Sequence, residues 1–119
     1  IRNVPRGQRE GAAALGLHAT VSLHPDAAGA AQVEVTLSAE RGSGWPEQLD
    51  LRIVHATRSE LDAGYVLRSA GGGHYRGTGV LPPAGRWLVQ LEDPGRTWRL
   101  VDPLVTRFDA PVELRAPAP

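Results

Sequence analysis

A chain of 119 residues with 13 arginines, no lysine and 13 acidic residues has no formal net charge, so no long-range field draws it onto nucleic acid or an anionic membrane surface. It has no cysteine, which excludes disulfides, a thiolate nucleophile and zinc-ribbon or iron–sulfur sites. The length suits one domain with a single core, and no apolar run reaches the roughly 18 residues of a spanning helix.

Residues 1–14 carry three arginines, Pro5, Gly7 and Gly11 without apolar periodicity and read as a linker, with room for one helical turn. The chain opens on Ile1 rather than Met, which is compatible with an upstream segment. The first strand is expected over 15–24, with Leu17, Ala19, Val21 and Leu23 on one face and His18, Thr20, Ser22 and His24 on the other. After a break at 25–29 the alternation resumes over 32–38 through Val33, Val35 and Leu37, so the two arms suit a hairpin. A Gly-rich turn over 41–44 precedes Trp45, an aromatic suited either to lidding the core or to binding. A third strand is expected over 49–55, a polar corner over 56–62, and a fourth strand over 63–68 around Tyr65 and Leu67. Gly71 to Gly73 closes a hairpin into a fifth strand at 74–80.

The heaviest part of the core is expected in the next hairpin, 85–101. Trp87, Val89 and Leu91 share one face of its first arm, and Trp98 and Leu100 share one face of its second. Burying one indole removes about 150–250 Å² from water, worth about 4–6 kcal/mol before entropy is counted. Asp93-Pro94-Gly95-Arg96 predicts a type II turn, with Pro94 presetting the first central position and Gly95 taking positive φ at the second. Asp102-Pro103 is expected to interrupt the second arm, 104–108 to pair at an edge, and 112–114 to end the ordered part. Seven or eight short strands without a sustained helical period predict an all-β, immunoglobulin-like antiparallel sandwich over 15–115, with a disordered tail at 116–119; a small closed barrel is the alternative.

The residues offer no catalytic set. Ser43 lacks the strand–turn–helix setting of a nucleophile elbow, the triple glycine has neither a following lysine nor a helix N-terminus, and the pairs Glu60/Asp62 and Glu92/Asp93 read as turn residues. His18 and His24 share a strand face but stand about 20 Å apart, too far to share an ion, and His55 and His74 meet only if the topology brings them together. No cofactor or metal is expected, and a soft Cu(I) site lacks its thiolate or thioether ligands.

The run Leu49-Asp50-Leu51-Arg52-Ile53-Val54-His55-Ala56-Thr57-Arg58, then Leu61-Asp62, Tyr75-Arg76, Gly85-Arg86-Trp87 and Trp98-Arg99-Leu100, resembles the FixH family, also called CcoH. The likeness is densest over 49–100 and looser over Arg9-Glu10 and Leu15-Gly16-Leu17; Ala56 stands where members often carry proline. The resemblance implies a non-enzymatic periplasmic domain, tethered to the inner membrane by an N-terminal helix. It implies assistance to the assembly or stability of a cbb-type haem-copper terminal oxidase, with an oxidase subunit or a copper-exporting ATPase as partner. His55, Thr57, Arg58 and Asp62 match the family's corner, which either holds two strands together, with Arg58 paired to Asp62, or forms a docking patch joined by Trp45. A periplasmic copper carrier and a generic ligand-binding sandwich are the alternatives.

Overall fold

The computed structural model describes residues 16–39 and 45–115, so the linker at 1–14, the Gly-rich turn at 41–44 and the tail at 116–119 lie outside the described residues. Eight strands, β1 (His18–Pro25), β2 (Ala30–Ser38), β3 (Gln48–His55), β4 (Ala63–Gly71), β5 (His74–Val80), β6 (Trp87–Glu92), β7 (Arg99–Val105) and β8 (Val112–Arg115), make one antiparallel ladder in the order β7-β6-β3-β4-β5-β2-β1-β8. The expected all-β antiparallel fold is present, in an arrangement compatible with the immunoglobulin-like sandwich and with the barrel alternative.

The ladder turns from one layer to the other between β4 and β5. These strands pair only from Arg68↔Arg76 to Gly71↔His74, across a register shift. Beyond that point the β5 backbone presses against β4: a Cβ on Gly77 would lie 2.6 Å from Leu67 Cδ2 and from the Val66 carbonyl, and one on Gly79 would lie 2.7 Å from the Tyr65 ring. Two glycines thus supply the clearance at the seam. The strands β7-β6-β3-β4 form one side and β5-β2-β1-β8 the other, and the outermost strands β7 and β8 come back into contact.

Alternation, cleanest along β1, β2 and β3, feeds one core that includes Leu17, Val21, Val35, Leu51, Ile53, Leu67 and Leu114. Trp87 is 1% exposed and Trp98 4%, so the tryptophan hairpin carries the expected weight. The Tyr75 hydroxyl donates to the Pro46 carbonyl at 2.6 Å and that of Tyr65 to the Val80 carbonyl. Burial raises the pKa of both phenols, and the Glu47 charge adds to the rise at Tyr75.

Two local expectations are corrected. In the 93–96 turn the residue at positive φ is Arg96 (56°), not Gly95, and Arg96 N–H donates to the Asp93 carbonyl at 3.0 Å. The Asp93 carboxylate stabilises this turn by accepting from Thr97 N (2.7 Å), Thr97 Oγ1 (2.5 Å) and Trp98 N (3.3 Å), and the positive φ falls one residue later than in a type II turn. Nor does Asp102-Pro103 end the second arm. β7 runs on to Val105, because the register slips by one residue between Val89↔Asp102 and Trp87↔Val105, and β7 is an edge strand where a proline costs no ladder bond. The segment expected to pair at 104–108 is therefore divided. Leu104 and Val105 belong to β7, while Phe108 folds back to the core, 6.5 Å from Trp87 between ring centroids.

Candidate functional site

The pairing registers sort the loops onto two poles. The chain enters β1 at His18, opposite Ser38 and Arg115, and this N-terminal pole also holds Trp45, the 71–73 turn and the 93–98 turn. The far pole gathers the 26–29 turn, the 56–62 corner, the 81–86 loop and the 106–111 loop. β3 connects the poles, and its seven steps cover about 23 Å.

At the far pole four of the five expected site residues come together. His55 closes β3 and turns its ring back over the corner, so that Nδ1 accepts the backbone N–H of Thr57 (3.1 Å) and of Arg58 (3.0 Å). An atom that accepts two N–H bonds holds no proton, so the ring proton sits on Nε2. The Asp62 carboxylate accepts the backbone N–H of His55 at 2.8 Å and ties the end of the corner to its beginning. Between them Ser59–Leu61 makes a single 3-10 turn, closed by Leu61 N–H to the Arg58 carbonyl (3.0 Å) and Asp62 N–H to the Ser59 carbonyl (3.1 Å).

The expected Arg58–Asp62 pair is not formed. Arg58 pairs with Glu60 at 2.8 Å, with both side chains more than half exposed, and Asp62 serves the backbone instead. Thr57 takes part through its amide, which donates to His55 Nδ1. His55 and Asp62 are therefore the braces of the corner, while Thr57, Arg58 and Glu60 are what it presents to solvent.

Two further residues complete the site. β3 and β6 pair with His55 opposite Trp87, and the two rings meet edge to face at 4.8 Å and 90°. Trp87 Nε1–H donates to the Pro83 carbonyl (3.1 Å), and Ala56 N–H to the Arg86 carbonyl (2.9 Å). Gly85 lets the His55 ring pack closely against the 81–86 loop: a Cβ there would lie 3.0 Å from His55 Nε2 and 3.4 Å from Trp87 Nε1. The Gly-x-Trp spacing was visible in the sequence, but its partnership with His55 depends on a strand pairing across about thirty residues that no local pattern announces.

Trp45, the fifth residue, does not join the corner. It lies at the N-terminal pole, 40% exposed, with its indole 3.5 Å from where a Cβ on Gly73 would stand. His74 belongs to that pole too, its Nδ1 3.3 Å from Thr36 Oγ1, so it does not meet His55. Among the described residues no three metal-ligating side chains gather, and no helix is long and apolar enough to cross a membrane.

A family model, FixH, matches residues 6–104, a span that takes in strands β1 to β6, most of β7 and the whole far-pole corner, and stops short of β8. No curated protein and no solved structure matches the chain. With well over half its length matched, this chain belongs to the FixH family, a family of accessory proteins rather than known enzymes that serves the nitrogen-fixation and oxidase context.

Proposed function

We propose that this domain works in the periplasm, held to the inner membrane by an N-terminal anchor, and assists the assembly or stability of a cbb-type haem-copper terminal oxidase by protein contact. The observation that carries the reading is the convergence at the far pole. His55, Thr57, Arg58, Asp62, Gly85 and Trp87 come from separate stretches of the family resemblance and form one braced corner, with the Arg58–Glu60 pair outermost. A corner braced by three backbone-to-side-chain hydrogen bonds and a ring contact presents its charges at low entropic cost to a partner, an oxidase subunit or its copper-exporting ATPase. The surface is a charged rim around a fixed turn, which suits recognition and register rather than catalysis.

The test is oxidase activity in membranes from cells grown at low oxygen, with the gene deleted and then restored as wild type or as the Arg58→Ala/Glu60→Ala variant, with and without added copper. The expected result is activity lost on deletion, not recovered by copper, restored by wild type and not by the variant. Recovery on copper alone would move the role to metal delivery, and unchanged activity in the deletion strain would refute the oxidase reading.

A further inference from the structure

We propose that the far-pole corner is an acid-sensitive switch: a second proton on His55 opens it and disperses the Arg58–Glu60 edge, so that docking is turned off as pH falls. The consequence for docking rests on the reading above, while the cause lies in the geometry of one ring. His55 Nδ1 accepts the Thr57 amide at 3.1 Å and the Arg58 amide at 3.0 Å, and both bonds need its lone pair. A proton placed there sets a third donor against two others. Turning the ring over restores nothing, because both nitrogens of an imidazolium carry protons. Nor does the ring have room to withdraw inward. Trp87 meets it edge to face at 4.8 Å, and on the other side a Cβ on Gly85 would already lie 3.0 Å from Nε2.

The two amides must then turn to water, which is at hand because Thr57 and Arg58 are exposed. Ala56 N–H stays on the Arg86 carbonyl at 2.9 Å, so the movement begins at Thr57. It carries the 3-10 turn with it, since the Arg58 carbonyl accepts the Leu61 N–H that closes that turn and sets Glu60 beside Arg58. β3 packs against β4, β6 and this turn. The turn and its flanks bring Arg58 and Glu60, paired with each other, and Asp62, whose carboxylate is held by the backbone N–H of His55. β6 brings the uncharged Trp87, the loop before it Arg86, and β4 starts on the uncharged Ala63 and Gly64. In the 106–111 loop, which returns to Trp87 through Phe108, Arg107 and Asp109 pair with each other at 2.7 Å. Among the described residues no carboxylate pairs with the imidazole to compensate for the lost bonds. Histidine rings change charge between about pH 5 and 8, so the corner is closed at the alkaline end of that window and opens toward the acid end.

NMR of the chain between pH 8 and 5 tests this without a partner. The His55 ring is followed through its carbon-bound protons, and the corner through the Thr57 and Arg58 amides, whose solvent exchange is compared with that of an unstructured chain at the same pH. The expected result is loss of protection at both amides along the titration curve of the His55 ring, with the core amides of Leu67 and Leu91 unchanged. In His55→Asn, whose side-chain oxygen accepts without titrating, protection holds across the range. Protection that persists to pH 5 in the wild type, or that is lost equally in His55→Asn, would overturn the proposal; the wild-type result decides alone if the variant does not fold. Docking is read separately, by the oxidase assay above, so a corner that stays closed and a corner without a partner are distinct outcomes.

Discussion

Replacing His55 with alanine removes the acceptor shared by the Thr57 and Arg58 amides, at 3.1 and 3.0 Å, together with the edge-to-face contact on Trp87. The amides lie at a solvent-exposed turn, so water takes over part of their bonding and each loss is worth about 0.5–1.5 kcal/mol, while the ring contact adds about 0.5–1.5 kcal/mol. The expected destabilisation is about 2–4 kcal/mol, which at about 3–6 °C per kcal/mol for a domain of this size lowers Tm by roughly 10 °C. His55→Asn is the discriminating companion. Its Oδ1 can stand in for Nδ1 as acceptor in an Asx-type turn, so it loses the ring and keeps the bonds, and its cost is about 1 kcal/mol. Urea unfolding followed by tryptophan fluorescence measures both variants. Equal destabilisation of the two, or a cost below about 0.5 kcal/mol for His55→Ala, would refute the view that the imidazole acceptor braces the corner.

Gly77→Ala places a Cβ 2.6 Å from the Val66 carbonyl and from Leu67 Cδ2, so the seam must open; a loss of about 1–3 kcal/mol in urea unfolding is expected, and a neutral result would remove the clearance argument. Asp93→Ala leaves Thr97 N, Thr97 Oγ1 and Trp98 N without their shared acceptor and should cost about 2–3 kcal/mol, read as a shift in Tm. Arg58→Ala/Glu60→Ala should change stability by less than about 0.5 kcal/mol, because the pair is exposed, which is what makes it a clean probe of partner contact. The raised pKa values of Tyr65 and Tyr75 mean that the folded state holds their protons more tightly than the unfolded chain does. Their stabilisation is full below the unfolded phenol value of about 10 and is lost as pH rises above it, so denaturation midpoints should fall through the alkaline range and fall less in Tyr75→Phe.

The alternation of buried and exposed positions along β1, β2 and β3 made those strands readable, because one face of each packs into a continuous core and a period of two is the direct signature of that. What could not be read was anything decided by pairing partners. Pro103 looked like a strand breaker until β7 proved to be an edge strand with a slipped register. Gly95 looked like the positive-φ residue until the Asp93 side chain was seen to organise the turn around Arg96. The corner motif was visible as letters, but the partners of its charged residues were exchanged: composition permits Arg58 with Asp62 as well as with Glu60, and the 3-10 turn chooses Glu60 by leaving the Asp62 carboxylate on the His55 amide. Trp45 was assigned to that corner as one possibility, and only the length of β3 separates the two.

The slipped register of β7 also bears on how copies of this protein behave when crowded together. A sheet that ends in a long, regular strand invites another molecule to extend it. Here one end carries Pro103, which has no N–H to offer, and the Leu104 amide next to it is already bound to the Asp102 carboxylate at 3.0 Å. The other end is the four-residue β8, too short to template a lasting partner and closing on Arg115. Both margins of the ladder are thereby made poor templates, so molecules concentrated side by side can meet through their poles without their sheets running together.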